Sequence, residues 1–132
     1  MEKDYRIVMD IDGTLCESKN KEQHYSDLKP NVRVVEKLIQ YKKRGYYIIL
    51  YTSRNMNTHN NNIGKINATT ARIIFEWLDK FQIPYDEIHF GKPWCGFKGF
   101  YVDDKTIRPS ELISMSHEEI VNLLDVEKTK IS

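Results

Sequence analysis

The chain has 132 residues, which suits one domain with a single hydrophobic core, and its composition is that of an ordinary globular protein. Its formal net charge of +1 provides no broad basic face, so general nucleic-acid binding has no electrostatic support. No apolar run is long enough to cross a membrane, and the charged start is unlike a signal peptide. We therefore expect one cytoplasmic domain over residues 1–132, with neither nucleic acid nor membrane as a partner.

The first half of the chain predicts a strand, a helix and a second strand. Residues 5–10 are a short apolar run, and the polar residues 15–30 that follow indicate a surface excursion. A helix is predicted from Pro30 to Arg44, with Gly45 as its stop. Its apolar stripe has three- and four-residue spacings and comprises Val34, Val35, Leu38, Ile39 and Tyr41. Residues 46–51 predict a strand parallel to the first.

The middle of the chain predicts a loop, a helix and two strands. Residues 55–67 are Asn-rich and indicate a loop over the ends of the strands, with Asn67 as the cap of the next helix. The apolar face of that helix comprises Ala71, Ile74, Trp77, Leu78 and Phe81, and Pro84 ends the segment. Residues 87–90 and 99–102 predict two further short strands.

The C-terminal segment predicts one more helix. It begins at Ser116, with Glu119 completing a capping box. Three apolar side chains are expected to dock it: Ile120, Val121 and Leu124. The polar tail from Glu127 is expected to fray.

Each predicted strand ends on polar residues that suit phosphate chemistry. Asp10, Thr52 and Lys92 follow the first three runs, and Asp103 with Asp104 follows the fourth. The carboxyl ends of parallel strands share one edge of a sheet, which is where open α/β folds place their sites. The pattern therefore predicts two pairs of carboxylates, a hydroxyl and an ammonium in one cleft, a set suited to magnesium-dependent phosphoryl transfer.

Asp10, Asp12, Gly13 and Thr14 form the most specific motif, DIDGT. Residues one apart on a straight strand point to opposite faces, but Gly13 permits a sharp turn that returns Asp12 to the cleft. Asp10 is then placed as a carboxylate nucleophile, and Asp12 as the acid and base. A magnesium ion would relieve the repulsion between carboxylate and phosphate, with Asp103 and Asp104 as further ligands.

The remaining candidates would bind the phosphate or the substrate. Lys92 can neutralise phosphate oxygens, and Lys98 is its rival for that role. Thr52 and Ser53 can hold the transferring phosphate. Arg54 can contact a second anionic group of the substrate or only pair with a surface acid. With Gly13 and Thr14 these residues complete the predicted phosphate site. The histidines and the two cysteines, Cys16 and Cys95, show no paired metal-ligand spacing; free thiols are the simpler interpretation, with a disulfide left open.

DIDGT, YTSR, GKPW and YVDD, in this order, resemble the four motifs of the haloacid dehalogenase superfamily of phosphatases. Longer stretches, among them EWLDKFQIPYDEIHFGKPWCGFKGFYVDD and RPSEL, resemble a group of small phosphatases associated with bacterial capsular polysaccharide biosynthesis. The resemblance implies a Rossmann-like α/β fold with three layers, a mainly parallel sheet and no large cap domain. It also implies an open site, covered locally by residues 15–29 and 55–66 or by a second subunit of a homo-oligomer.

The resemblance also assigns roles to individual residues. It implies Asp10 as the nucleophile, Asp12 as the acid/base, Thr52 as the phosphate-binding hydroxyl and Lys92 as the catalytic lysine. Mg²⁺ would be held by Asp10, by the backbone carbonyl of Asp12 and by Asp103, with Asp104 binding directly or through water. The implied substrate is a small molecule, a phosphorylated sugar or sugar-nucleotide precursor of capsule.

Three other functions would fit the same fold and the same types of residue. A response-regulator receiver has an acidic pair, an acceptor Asp, a hydroxyl and a Lys, but its acidic pair comes first, whereas here Asp10 and Asp12 open the set and Asp103 and Asp104 close it. A non-catalytic binding module would retain the fold alone. A phosphotransferase would pass the phosphoryl group from Asp10 to an alcohol instead of water.

Overall fold

The computed structural model describes residues 4–17, 19 and 22–130. Three strands form a parallel sheet in the order β1-β2-β3: β1 spans Arg6–Asp10, β2 spans Tyr47–Thr52 and β3 spans Glu87–Phe90. In the register, Val8 lies opposite Ile49, and Thr52 lies opposite Phe90. The predicted Rossmann-like parallel α/β fold is thereby confirmed, and the described residues include no large cap domain.

Helix α1, Val32–Lys43, connects β1 to β2 as its apolar spacing predicts. The Asn31 side chain accepts a hydrogen bond from the Val34 amide and caps its first turn. Val34 and Leu38 are fully buried, and each contributes about 1.5 to 3 kcal/mol to the free energy of unfolding by burial. Gly45 follows with φ of +96°, a conformation that glycine adopts without a Cβ clash, and ends the helix as expected.

The Asn-rich segment is a run of turns followed by a helix that starts earlier than predicted. Asn55, Asn60 and Asn61 have positive φ, which Asn tolerates better than other residues with a side chain. The predicted Asn67 cap is wrong, because Asn62 caps the helix by accepting from the Lys65 amide. A short helix α2, Ile63–Lys65, then runs through a π-helical segment, Ile66–Thr70, into α3, Ala71–Lys80. Burial of Ile66 favours this early start.

Helix α3 buries the predicted apolar face and anchors the polar excursion that follows β1. Its buried residues are Ala71, Ile74, Trp77 and Leu78, whereas Phe81 is half-buried. The Trp77 indole N–H donates a hydrogen bond of 2.6 Å to the carbonyl oxygen of Leu28. A 3-10 turn, Tyr25–Asp27, lies just before Leu28. The excursion is therefore held at a fixed position beside the strand ends.

The chain divides into two compact units, residues 1–94 and residues 95–132. The second unit contains helix α4, Pro109–Ser114, and helix α5, His117–Lys130. Helix α4 was not predicted; Pro109 at its first position and the Glu111 carboxylate, which accepts from the Arg108 amide at 2.7 Å, are its local signals. None of the described helices is long and apolar enough to span a membrane.

Three predictions for the second unit need correction. Residues 99–102 form no strand, because the backbone folds back at Gly99, where a Cβ would overlap the carbonyl oxygen of Cys95. Ser116 and Glu119 form the expected capping box at α5, and Ile120 is buried, but Val121 is exposed. The helix continues beyond Glu127 to Lys130, and the predicted frayed tail is thus helical as far as the structure describes it.

Candidate active site

The ends of the three strands bring Asp10, Thr52 and Lys92 together. Asp10 is the last residue of β1 and lies opposite Tyr51, the neighbour of Thr52 at the end of β2. Lys92 follows β3 by two residues, and its backbone amide donates a hydrogen bond of 3.0 Å to the Thr52 carbonyl. That bond continues the pairing of β2 with β3 past the end of the sheet. It therefore fixes the backbone of Lys92 beside the ends of the strands.

The Asp10 carboxylate faces a cation and a hydroxyl. The Lys92 ammonium lies 3.4 Å from Oδ1 of Asp10, and the Thr14 hydroxyl donates a bond of 3.4 Å to Oδ2. Burial raises the pKa of the Asp10 carboxyl, Lys92 opposes this shift, and the negative charge of Asp12 adds to it. The side chain is still partly open to solvent. The Asp10 carboxyl is thus partly desolvated, paired with a cation and still partly accessible to solvent.

A tight turn after β1 returns Asp12 to the same end of the sheet. Gly13 has φ of +85°, which an L side chain rarely adopts, and its amide donates to the Cys16 carbonyl at 2.8 Å. The amides of Thr14, Leu15 and Cys16 all donate to the carbonyl of Ile11. The predicted sharp turn at Gly13 is confirmed.

Arg54 forms a bidentate salt bridge with the Asp12 carboxylate. Its Nη2 donates to Oδ1 at 2.7 Å and its Nε to Oδ2 at 3.1 Å. The side chain of Arg54 is only 2% exposed, and its guanidinium lies over the Tyr25 ring at 4.1 Å. Nη1 is buried without a hydrogen-bond partner among the described residues. Sequence reasoning left two alternatives for Arg54, contact with a second anionic group of the substrate or pairing with a surface acid. In the structure the buried Arg54 guanidinium pairs with Asp12, and contact with the substrate stays a prediction.

Thr52 and Ser53 lie between these groups. The buried Thr52 hydroxyl accepts a bond of 3.0 Å from the Arg54 amide and donates to Oδ2 of Asp12 at 3.4 Å. Ser53 is half-buried, and its carbonyl accepts from the Met56 amide in the turn that follows. Thr52 thus links the end of β2 to the carboxylate after β1.

Two residues that sequence reasoning missed surround Asp12. Burial raises the pKa of Cys16 to about 12, and the thiol lies 3.6 Å from Oδ1 of Asp12. Burial, followed by the charge of Asp12, also raises the pKa of Tyr25, whose ring covers Arg54. Neither residue belongs to a motif, and Tyr25 lies in the polar excursion, so no local signal pointed to them.

Asp103 and Asp104 lie in the second compact unit, where both are exposed. The Asp103 carboxylate accepts a hydrogen bond of 2.9 Å from the Lys105 amide. That bond makes a local turn that holds the carboxylate close to its own backbone. Lys98, the rival of Lys92, is also exposed in this unit.

A family model described as haloacid dehalogenase-like hydrolase matches residues 7–76 of the chain. The matched region contains all of β1 but its first residue, the DIDGT turn, β2 and Arg54. The chain belongs to this family. The family membership predicted from the four motifs is thereby confirmed, and with it a hydrolase of the haloacid dehalogenase type.

One solved structure extends the similarity beyond the matched region. A crystal structure of a protein from Vibrio cholerae is 48% identical, covers 93% of this chain and 98% of its own, and has a TM-score of 0.89. A structure of the Pnkp1/Rnl/Hen1 complex is 27% identical over 64% of this chain and 27% of its own, with a TM-score of 0.48. A second, described as an RNA repair complex, is 25% identical over 65% and 25%, with a TM-score of 0.47. No curated protein shows significant similarity.

The donors at this end of the haloacid dehalogenase fold fit a hard cation. Asp10 and Asp12 have partly exposed carboxylates, the charge of Asp12 adds to the raised pKa of Asp10, and the Asp12 carboxylate is also bonded to Arg54. Mg²⁺ prefers such oxygens, and one or two carboxylates with waters and a substrate phosphate suffice to bind it. No cluster of three or more His, Cys, Asp or Glu residues suited to a metal occurs within the described part of the chain. The pair therefore fits a shared magnesium site better than a closed protein cage.

Proposed function

We propose that this haloacid dehalogenase-like hydrolase is a magnesium-dependent phosphomonoester hydrolase that works through an aspartyl-phosphate on Asp10. One observation carries the proposal. The Asp10 carboxylate lies 3.4 Å from the Lys92 ammonium at the ends of adjoining strands, with Asp12 held beside it. A nucleophile, a positive charge for the phosphate and an acid/base within one cleft are the parts that the reaction needs.

In the first half of the reaction, an Asp10 oxygen attacks phosphorus and the bond from phosphorus to the alcohol oxygen breaks. Asp12 gives its proton to that leaving oxygen. Lys92 neutralises charge on the phosphoryl oxygens. Mg²⁺, when bound by Asp10 and Asp12 with Asp103 or Asp104, would reduce the repulsion between carboxylate and phosphate.

In the second half, Asp12 takes a proton from water while the water oxygen attacks phosphorus. The bond from phosphorus to Asp10 breaks, phosphate leaves, and the Asp10 carboxylate is restored. Both halves require Asp12 to keep one orientation while it gives and takes a proton. The bidentate contact from Arg54 and the Thr52 hydroxyl orient Asp12 in its carboxylate form, the form that takes the proton in this second half, so we assign Arg54 as a positioning residue.

The proposed substrate is a phosphorylated sugar or sugar nucleotide used in capsule formation. The absence of a large cap domain among the described residues leaves the site open to a substrate larger than a simple phosphate ester. Next to the turn after β1 lies a depression of about 280 Å³, lined by Gly13, Cys16, Glu17, Lys29, Pro30 and Asn31.

The test is phosphate release from a panel of sugar phosphates, nucleotides and phosphorylated sugar nucleotides. We expect release with Mg²⁺, loss of release with EDTA, and loss in Asp10→Asn with the fold retained. Asp79→Asn, an exposed aspartate on α3, is the matched control and should keep full activity. Turnover by Asp10→Asn equal to wild type would overturn covalent catalysis at Asp10, and an unchanged rate after chelation would overturn the metal. Formation of a new phosphoester with added alcohols would identify a phosphotransferase.

A further inference from the structure

The ring of Tyr25 lies over the cation that is bonded to Asp12. The guanidinium carbon of Arg54 is 4.1 Å from the centre of that ring, well inside the distance of about 6 Å at which an aromatic face attracts a cation. Tyr25 is half-buried, whereas the Arg54 side chain is only 2% exposed. The ring therefore covers one face of the guanidinium and contributes to its burial.

The hydrogen bonds of the Arg54 guanidinium leave one of its nitrogens unsatisfied. Nε and Nη2 donate to the two oxygens of Asp12, and the buried Nη1 has no hydrogen-bond partner in the described part of the chain. A buried cation that is not fully bonded is costly to keep away from water. The face of the Tyr25 ring carries negative potential, so it complements the carboxylate as a second stabilising contact for this cation.

The position of Tyr25 is set by the fold of the excursion after β1. Tyr25 begins the 3-10 turn Tyr25–Asp27, and the next residue, Leu28, is fully buried. The Leu28 carbonyl accepts the hydrogen bond from the Trp77 indole on α3. The ring is therefore held over the guanidinium by contacts within the protein, before any substrate binds.

We propose that Tyr25 is a second positioning residue, which acts through Arg54 to hold the Asp12 carboxylate while it takes the proton from water. The ring excludes water from the guanidinium, and the guanidinium then keeps both of its bonds to Asp12. Without the ring, water would compete for these bonds, because solvated ion pairs are weak. The role of Tyr25 in the reaction rests on the proposed function, whereas its contact with Arg54 does not.

The first test measures the contact itself, by a double-mutant cycle on urea unfolding with Tyr25→Leu, Arg54→Met and both together. The two losses should not add, and the coupling should be about 2-fold to 30-fold in the equilibrium constant of unfolding. Tyr25→Phe keeps the ring and should stay close to wild type. Additive losses would overturn the contact. If circular dichroism shows that Arg54→Met is unfolded, equal stability of Tyr25→Leu and Tyr25→Phe would overturn it instead.

The second test separates the two halves of the reaction with p-nitrophenyl phosphate, whose leaving oxygen needs no proton. The second half then limits turnover, so kcat reports on Asp12 as the base and kcat/KM on the first half. Tyr25→Leu should lower kcat by about 10-fold, part of what a positioned base contributes, and lower KM in proportion. A burst of p-nitrophenolate should precede the slower steady state, because the aspartyl-phosphate accumulates. Tyr25→Phe should restore the wild-type values.

Tyr47→Leu is the matched control for the second test. Tyr47 is also half-buried, with the guanidinium carbon of Arg6 5.2 Å from the centre of its ring, but it begins β2 and so lies at the other end of that strand from Thr52. This variant should lose stability and keep the wild-type kcat and KM. A fall of kcat and kcat/KM together in Tyr25→Leu, or no change in either, would overturn the positioning role.

The outcomes separate the role of Tyr25 from the proposed function. If the wild type hydrolyses only a member of the substrate panel, rapid quenching of that reaction should show the same burst, of the alcohol, in Tyr25→Leu; its absence would overturn the positioning role. A wild type without activity on any phosphoester would count against the phosphatase and against a role of Tyr25 in catalysis. The unfolding cycle would still decide the contact between Tyr25 and Arg54.

Discussion

The Cys16 thiol shows how the site changes the chemistry of a neighbouring residue. Because burial raises its pKa to about 12, it stays protonated at neutral pH, and a protonated thiol is a poor nucleophile. Cys95 is half-buried. We expect iodoacetamide to modify Cys95 and spare Cys16 in the native protein, and to modify both in urea. Peptide mass spectrometry measures this, and rapid labelling of native Cys16 would contradict it.

Lys92 should determine the pH at which activity falls on the acidic side of the pH–activity profile. Asp10 must be ionised to attack, so activity should fall as the pH drops through its raised pKa. The Lys92 charge lowers that pKa, hence Lys92→Met should move the acidic limb to higher pH and reduce kcat by about 100-fold or more. The measurement is kcat and kcat/KM, each against pH.

Lys98→Met is the control for this prediction, because Lys98 is the exposed lysine nearby in sequence. It should leave both the acidic limb and kcat at wild-type values. An unmoved limb in Lys92→Met would mean that Asp10 does not govern the profile.

Asp10 and Asp12 should respond oppositely to replacement by Asn. The raised pKa of Asp10 means that the fold disfavours its charge, a cost present above its unfolded-state pKa, so Asp10→Asn should stabilise the protein at neutral pH. Asp12→Asn removes the partner of a buried guanidinium and should cost about 3 kcal/mol, the low end for a buried pair because Asp12 is partly exposed. Urea unfolding measures both, and equal effects at the two positions would contradict the assignment.

At the scale of elements, the Trp77 hydrogen bond connects α3 to the excursion that carries Tyr25. Trp77→Phe keeps most of the aromatic volume but leaves the Leu28 carbonyl buried without its partner, so it should cost about 1 to 3 kcal/mol. Trp94→Phe changes a more exposed indole and should stay within about 0.5 kcal/mol of wild type. Equal losses of Tm in the two variants would show that the bond to Leu28 contributes nothing specific.

The strands and helices that were predicted correctly are those whose apolar sequence pattern agrees with the contacts they make in the fold. Helix α1 has both a complete apolar stripe and a glycine stop, and β1 to β3 are short apolar runs that all find a neighbour in the sheet. Residues 99–102 have the same pattern, but a strand also needs a partner edge, which composition does not encode. The prediction of Asn67 as the cap was wrong, because several asparagines precede the helix and the sequence does not show which of them caps it. In the structure the side-chain oxygen of Asn62 accepts from the Lys65 amide.

The site was predictable for residues at strand ends and not for long-range contacts. Asp10, Thr52 and Lys92 could be placed together because parallel strands end on one edge. The pairing of Arg54 with Asp12 joins residues 42 apart through a buried guanidinium, and nothing in either motif requires it. The prediction of a single domain over residues 1–132 stays a prediction, alongside the two compact units that the structure describes.

At the scale of the whole molecule, magnesium should stabilise the folded protein. A ligand that binds only the native state, present at 100 times its Kd, raises the free energy of unfolding by about 2.7 kcal/mol. We expect Tm to rise with Mg²⁺ in the wild type, and to rise much less in Asp10→Asn and in Asp103→Asn. Asp125→Asn, an exposed aspartate on α5, should respond as the wild type does. The same rise in all variants would place magnesium elsewhere.

The boundary between the two compact units at residue 94 also has a consequence for synthesis of the protein on the ribosome. All three strands, with Asp10, Asp12, Thr52 and Lys92, belong to the unit that is synthesised first. At about 5 to 20 residues per second, translation of residues 95–132 takes about two to eight further seconds. Asp103 and Asp104 therefore enter the nascent chain only after every residue of the sheet has been synthesised. On the proposed assignment, a nascent chain that has not yet reached Asp103 lacks part of the magnesium site, and we expect it not to hydrolyse phosphoesters.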